Sequence, residues 1–212
     1  MNNALANFYG RHHRLGSRLD QSFQEEQRAR LFGPWIGSGV IVLDLGCRDG
    51  QLTRHFMAGN QVTGADIDSN ALATARERHG LETRALDLNQ PLPWEDGSFD
   101  RVLMAEVLEH LPYPRLTLGE IHRVLRPGGL FIGNLPLAYH LKDRWQVLRG
   151  RKLAMAGDPT HLQFFTFAEL RSLLESFFVW EAFHVIKGGR LGRQWPENFA
   201  RNVAFKVRKA LQ

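Results

Sequence analysis

The segment IVLDLGCRDG, Ile41 to Gly50, constrains the fold more than any other stretch of the chain. Its β-branched and leucine run lacks the polar alternation of a half-exposed strand, so both faces of the strand must be covered. The run then stops in a glycine, a charged pair and a second glycine, a turn too tight and too polar for a core. A strand covered on both faces belongs to a parallel sheet flanked by helices, and in such sheets a ligand sits beyond the carboxyl ends of the strands.

The rest of the chain repeats the rhythm. Gln61–Asp66 reads as a strand and Ser69–His79 as a helix capped by Ser69. Thr83–Leu86 and Phe99–Met104 read as strands, and Leu116–Leu125 as a helix closed by Pro127-Gly128-Gly129. Leu130–Ile132 is a strand, Phe167–Phe177 a helix, Val179–Val185 a strand, and Asn202–Val207 a last, antiparallel edge strand after the Gly188-Gly189 linker. A helix is expected from Gly50 to Ala58. Strand alternating with helix predicts a doubly wound α/β sheet with right-handed crossovers. Before it, residues 4–32 predict a helical arm. Leu15, Leu19, Phe23, Leu31 and Phe32 recur near helical spacing, and Gly33-Pro34 is the stop. The expected organisation is an arm or lid over residues 1–34 and one domain over 35–212. Within that domain lies an irregular, aromatic and basic insertion at about 135–163. Tyr139, His140 and Trp145 in the insertion are expected to pack against the arm.

Length and composition set outer bounds. The 212 residues, 43% hydrophobic, suffice for one domain with a sizeable core. The single cysteine, Cys47, excludes an internal disulfide and a multi-cysteine zinc site. No run approaches the roughly 20 apolar residues of a membrane span, and the first 20 residues hold no signal-peptide core. A cytoplasmic protein is the expectation. The net charge of +5 is uneven, with +4 across residues 140–155 and +6 across 187–209. Such segments attract an anionic partner.

At the first turn, Gly46 permits a sharp reversal and Gly50 a close helix start. The spacing Gly46-Cys47-Arg48-Asp49-Gly50 lacks the middle glycine of a dinucleotide loop, and Asp49 would repel a pyrophosphate. Asp44 at the strand end suits a bound ammonium. Asp66, which ends the second strand, suits both hydroxyls of a ribose. Asp87 suits an exocyclic adenine amine, with Leu88 against the ring. The ligand so described carries an ammonium, a ribose and an adenine.

These residues resemble the class I S-adenosylmethionine-dependent methyltransferases. VLDLGCRDG is similar to that family's first motif, VTGADID to its second, LDLNQPLPWEDGSFDRVLMAEVLEHL to the third and fourth, and IHRVLRPGGLFI to the segment entering the fifth strand. The resemblance implies a Rossmann-like, three-layer fold with seven strands in the order 3-2-1-4-5-7-6, the seventh antiparallel. It implies S-adenosylmethionine as cofactor and S-adenosylhomocysteine as product. It implies a cofactor site of Asp44, Gly46, Cys47, Gly50, Asp66, Ile67, Asp87, Leu88, Ala105 and Glu106. Arg48 departs from the family's glycine and is expected to turn outward.

In AEVLEHL, Glu106, Glu109 and His110 fall at i, i+3 and i+4, which share one face of a helix. His110 and then His161 are the candidate bases, since an imidazole titrates near neutrality, with Glu109 beside them. The resemblance extends to metal-using relatives. No metal is the leading expectation, and Glu106, Glu109, His110 and His161 are the set that would hold one. His12, His13, His55 and His79 read as surface or helix residues. No Pro-Cys nucleophile for cytosine-C5 methylation is present, and no Asn/Asp-Pro-Pro-aromatic stretch for amino methylation of bases. The expected activity is O-methylation of a small, anionic acceptor by a monomer or homodimer. A metal-assisted RNA ribose methyltransferase and a non-catalytic cofactor-binding subunit are the alternatives.

Overall fold

The computed structural model describes residues 3–15 and 21–211. Seven strands form one sheet in the order β3-β2-β1-β4-β5-β7-β6. In chain order, α1 (Asn3–Leu15) and α2 (Glu25–Ile36) precede β1 (Ile41–Leu45). Then come β2 (Gln61–Asp66), α3 (Ser69–His79), β3 (Glu82–Ala85), β4 (Phe99–Ala105), α4 (Pro114–Val124) and β5 (Leu125–Pro136). The chain continues through α5 (Leu141–Leu148), α6 (Phe167–Glu175), β6 (Val179–Lys187), α7 (Gly189–Gln194), α8 (Pro196–Phe199) and β7 (Asn202–Arg208). Strands β1 to β5 are parallel to one another; β7 runs antiparallel to both β5 and β6. Fold, strand order and the antiparallel seventh strand all match the expectation.

The central strands are covered on both faces, as their sequence demands. On β1, Leu43 and Leu45 join one layer with Leu118 and Ile121 of α4 and Leu170 and Leu174 of α6. Val42 joins the other, with Phe32 and Ile36 of α2 and Leu72 and Ala75 of α3. Burying such side chains contributes about 1.5–3 kcal/mol each, which makes this pair of layers the main source of stability. Among the described residues no helix is long and apolar enough to cross a membrane.

Several local expectations are corrected. Gly33-Pro34 does not stop the arm's second helix, which runs through Pro34 to Ile36 and ends at Gly37 in the left-handed region (φ 80°). Proline forfeits one backbone bond there, but the buried side chains of Phe32 and Ile36 carry the last turn into the core. Leu19 lies outside the described residues, and Phe23 sits in the turn before α2. The helix expected over 50–58 is a single 3-10 turn, Thr53–Phe56, whose start is fixed by the Thr53 hydroxyl on Asp44. The cap of α3 is Asp68, not Ser69, because its carboxylate accepts from the backbone N–H of Asn70 and Ala71. Pro127-Gly128-Gly129 lies within β5, where Gly128 (φ 75°) and a register shift opposite Phe99 absorb the irregularity. Residues 141–148 of the insertion form a helix, α5.

Candidate active site

The carboxyl ends of β1 to β4 meet the N-terminal arm at a cleft of about 600 Å³. At the tip of β1, Gly46 has φ 80°, and a β-carbon there would lie 2.3 Å from Val107 Cγ2. Only glycine lets the first turn pass beneath the residues after β4. Two non-glycine residues beside it, Arg48 (φ 53°) and Glu106 (φ 59°), are also left-handed, and backbone strain of this kind concentrates at functional sites.

The strand-tip acids are buried or half-buried in the cleft wall. Asp44 accepts a hydrogen bond from the Thr53 hydroxyl at 2.6 Å. Burial pushes its pKa up to about 7, a rise that the Thr53 bond and the Arg28 charge only partly oppose. Asp66 accepts from the backbone N–H of Arg48 and of Asp68, both at 2.9 Å. One carboxylate thereby ties the tip of β2 to the turn after β1. Burial raises the Asp66 pKa too, against those bonds and the neighbouring His13. Asp87, beyond β3, accepts from the backbone and side-chain amides of Asn89 at 2.9 and 2.7 Å.

Glu106 does not join a helical face with Glu109 and His110. Residues 108–110 form one 3-10 turn, and Glu106 stands before it, held by the side-chain amides of Asn134 on β5 and Asn202 on β7. Arg28 of α2, almost fully buried, donates to Asn134 Oδ1 at 3.3 Å and lines the same cleft.

Glu109 is completely buried, and among the described residues neither carboxylate oxygen has a hydrogen-bond partner. Desolvation and the Glu106 charge push its pKa well above the usual carboxylate range. Its Oε1 lies 3.9 Å from His110 Nε2. The His110 and His161 rings are 4.8 Å apart. Each uses Nδ1 on a backbone carbonyl, His110 on Thr160 at 2.9 Å and His161 on Met155 at 3.0 Å. One potential ligand atom from each of Glu109, His110 and His161 falls within 4.8 Å of the others.

Of the expected site residues, Asp44, Gly46, Cys47, Asp66, Ile67, Asp87, Leu88, Ala105, Glu106, His110 and His161 line the cleft. Gly50 does not; its α-carbon faces α3, where a β-carbon would meet His79 Cδ2 at 3.1 Å, so its role is packing. Glu109 lies behind the wall. Arg48, expected to turn outward, lines the cleft and is part-exposed. Its guanidinium reaches the Gln21 carbonyl beneath the arm and lies beside Asp49. Tyr139 and Trp145 are exposed, 41% and 61%, while the buried His140 caps α5. His12 and His13 are cleft residues rather than bland surface ones. His13 Nδ1 meets Asp68 at 2.9 Å and His12 Nε2 stands 3.7 Å from Asp158. Tyr9 sets its ring against His110 at 6.4 Å. Sequence reasoning missed Tyr9, Arg28, Asn134, Asp158 and Asn202. The one available signal was an arginine among the apolar positions of α2.

The chain is similar to known methyltransferases in sequence and fold. Residues 43–133 match a family described as methyltransferase domain. Methyltransferase GfsG of Streptomyces halstedii is 40% identical over 102 residues, 44% of this chain and 37% of that protein. Ubiquinone biosynthesis O-methyltransferase of Bordetella pertussis is 37% identical over 99 residues, 43% of this chain and 41% of that protein. The chain thus spans less than half the length of these curated relatives. In fold it is similar to the N-methyltransferase NodS of Bradyrhizobium japonicum, crystallised with S-adenosyl-L-homocysteine. The TM-score is 0.62 at 19% identity, over 91% of this chain and 90% of that one.

Residues 43–133 match the methyltransferase-domain family, and the chain has the fold of solved S-adenosylmethionine-dependent methyltransferases. The residues present fit that family's cofactor: buried acids stand at the tips of β1 and β2 and a third beyond β3, beside a buried arginine and an open apolar wall of Ile67, Leu86 and Leu88.

Proposed function

We propose that this chain transfers a methyl group from S-adenosylmethionine to an oxygen of a small, anionic acceptor. The observation that carries the reading is the convergence of Asp44, Asp66 and Asp87 with His110 on one cleft. In this reading Asp66 holds the ribose hydroxyls, and Asp87 with Leu88 holds the adenine. Asp44 and the Ala105 carbonyl hold the ammonium, and Arg28 holds the carboxylate. The cofactor supplies an electrophilic methyl group on a sulfonium. The chain's own work is alignment, exclusion of water and removal of the acceptor's proton. With Nδ1 of His110 on the Thr160 carbonyl, Nε2 is the basic nitrogen, and the assigned proton sink. Helix α1, through Tyr9, His12 and His13, serves as the lid, and the 135–163 insertion as the acceptor cap.

The test is transfer of a labelled methyl group from S-adenosylmethionine to phenolic and sugar hydroxyl acceptors. A methyl ether and S-adenosylhomocysteine are expected in equal amounts. Methylation only at nitrogen or sulfur contradicts the oxygen assignment, and cofactor binding without turnover on any acceptor favours a non-catalytic subunit.

A divalent cation is the second reading, favoured by the buried Glu109 carboxylate, unpartnered among the described residues, within 4.8 Å of His110 and His161. Two imidazoles and one carboxylate suit a first-row metal. A bound cation would oppose the rise in the Glu109 pKa that burial causes. Loss of activity on chelation, restored by Mn²⁺ or Mg²⁺ and absent in Glu109→Ala, supports it; full activity in chelator removes it. RNA ribose methylation requires in addition RNA binding with a steep salt slope.

A further inference from the structure

Beside the cleft, on the same rim of the sheet, lies a second pocket of about 440 Å³. Its wall combines the start of α5 with the β6–β7 connection, so the two basic segments of the sequence, far apart in the chain, share one concavity. Lys142, Arg190 and Arg201 line it, with Leu141, Leu191 and Phe199 as its apolar part.

The three cations lack carboxylate partners among the described residues. Their neighbours on β7 do not: Lys206 and Arg208 both pair with Glu181. Asp143, next to Lys142 in the chain, is buried, and its Oδ2 is engaged by the Tyr139 backbone N–H at 3.1 Å and by His140 at 3.3 Å. Three like charges around one hollow repel one another, and a multiply charged anion there relieves the repulsion while gaining charge-assisted bonds.

The place of the pocket gives it meaning. Arg201 directly precedes Asn202, whose side chain holds Glu106 of the cleft at 2.7 Å. Pro136, Asn202 and Lys187 pair across the rim at the ends of β5, β7 and β6. From the tip of β4 to that of β6 is three strand spacings, roughly 14 Å.

We infer that this pocket binds a phosphoryl group carried by the methyl acceptor, with the acceptor's reactive oxygen reaching along the rim into the cleft. A concavity of this size has room for a phosphoryl group together with part of the molecule that carries it. The link to an acceptor rests on the methyl-transfer reading; the anion site does not.

The test is calorimetric titration of the whole chain with inorganic pyrophosphate, and separately with S-adenosylhomocysteine. Lys142→Gln and Arg190→Gln, both at exposed positions, should each weaken pyrophosphate binding about tenfold, and the double variant about a hundredfold. Lys152→Gln, a control outside the pocket, should leave it unchanged, and S-adenosylhomocysteine affinity should stay within about twofold in all. Pyrophosphate binding that is absent from the wild type, or equally strong in the double variant, overturns the proposal. So does a single-stranded RNA that binds with a steep salt slope and is not displaced by pyrophosphate, since the cations would then track a backbone rather than hold one group. If pyrophosphate binds as expected but S-adenosylhomocysteine does not, the anion site stands and the methyl-transfer reading falls.

Discussion

The two halves of one rim carry opposite charge by opposite means. At the ends of β1 and β2 the acids are buried, and each is held by a named donor: the Thr53 hydroxyl on Asp44, and backbone N–H groups on Asp66. Beyond β5, β7 and β6 the cations Lys142, Arg190 and Arg201 stand exposed on connecting segments, with no carboxylate partners among the described residues. Burying a carboxylate is costly and requires a scaffold fixed to fractions of an ångström; exposing a cation costs almost nothing. The acidic half is therefore part of the fold, and the basic half is an addition to it.

The largest expected effect tests whether the acidic half does chemistry as well as binding. His110→Ala should lower turnover about 10²- to 10⁴-fold while leaving S-adenosylhomocysteine affinity nearly unchanged. A variant that loses affinity instead makes His110 part of the cofactor wall.

Next comes the cost of the buried acids. With its folded pKa at about 7 against an ordinary 3.8, Asp44 holds an extra proton in the native, ligand-free chain between those values. Stability should thus fall as pH rises through that window and level off above it. Asp44→Asn should raise the ligand-free melting temperature at pH 8 by a few degrees and weaken S-adenosylhomocysteine binding about 10- to 100-fold. Binding to the wild type at pH 6 should release a proton, read as a dependence of calorimetric heat on buffer ionisation enthalpy.

On the basic half, the Lys142→Gln, Arg190→Gln double variant should shift the melting temperature by no more than about 1 °C, as surface changes do. A larger drop would make those cations structural and erase the contrast. The smallest effect is expected at the boundary. Arg48→Gly removes a left-handed non-glycine residue, worth about 1 kcal/mol, but also the guanidinium's hold on Gln21. The two should nearly cancel, with cofactor affinity changed less than about threefold.

The acidic half was also the legible half. The spans of β1, β2 and α3 follow from periodicity and turn chemistry alone, and the acids at those tips are local in sequence. The Glu106 clamp was invisible because its partners lie 28 and 96 residues away. Arg28 was hidden likewise, 106 residues from Asn134, since its place among the apolar positions of α2 hints at burial but names no partner. Gly33-Pro34 misled because tertiary burial of Ile36 outweighs one missing backbone bond. The basic pocket could be anticipated only as two charged stretches; that they meet is a consequence of β7 returning antiparallel beside β5.

The most direct measurement of the central claim is calorimetry of S-adenosylhomocysteine against the wild type and Asp66→Ala. One site per chain is expected, with affinity weakened about a hundredfold in the variant as two hydroxyl contacts to a carboxylate are lost. A wild type that yields no binding heat across buffers, or an Asp66→Ala chain that binds as tightly as the wild type, would contradict the account.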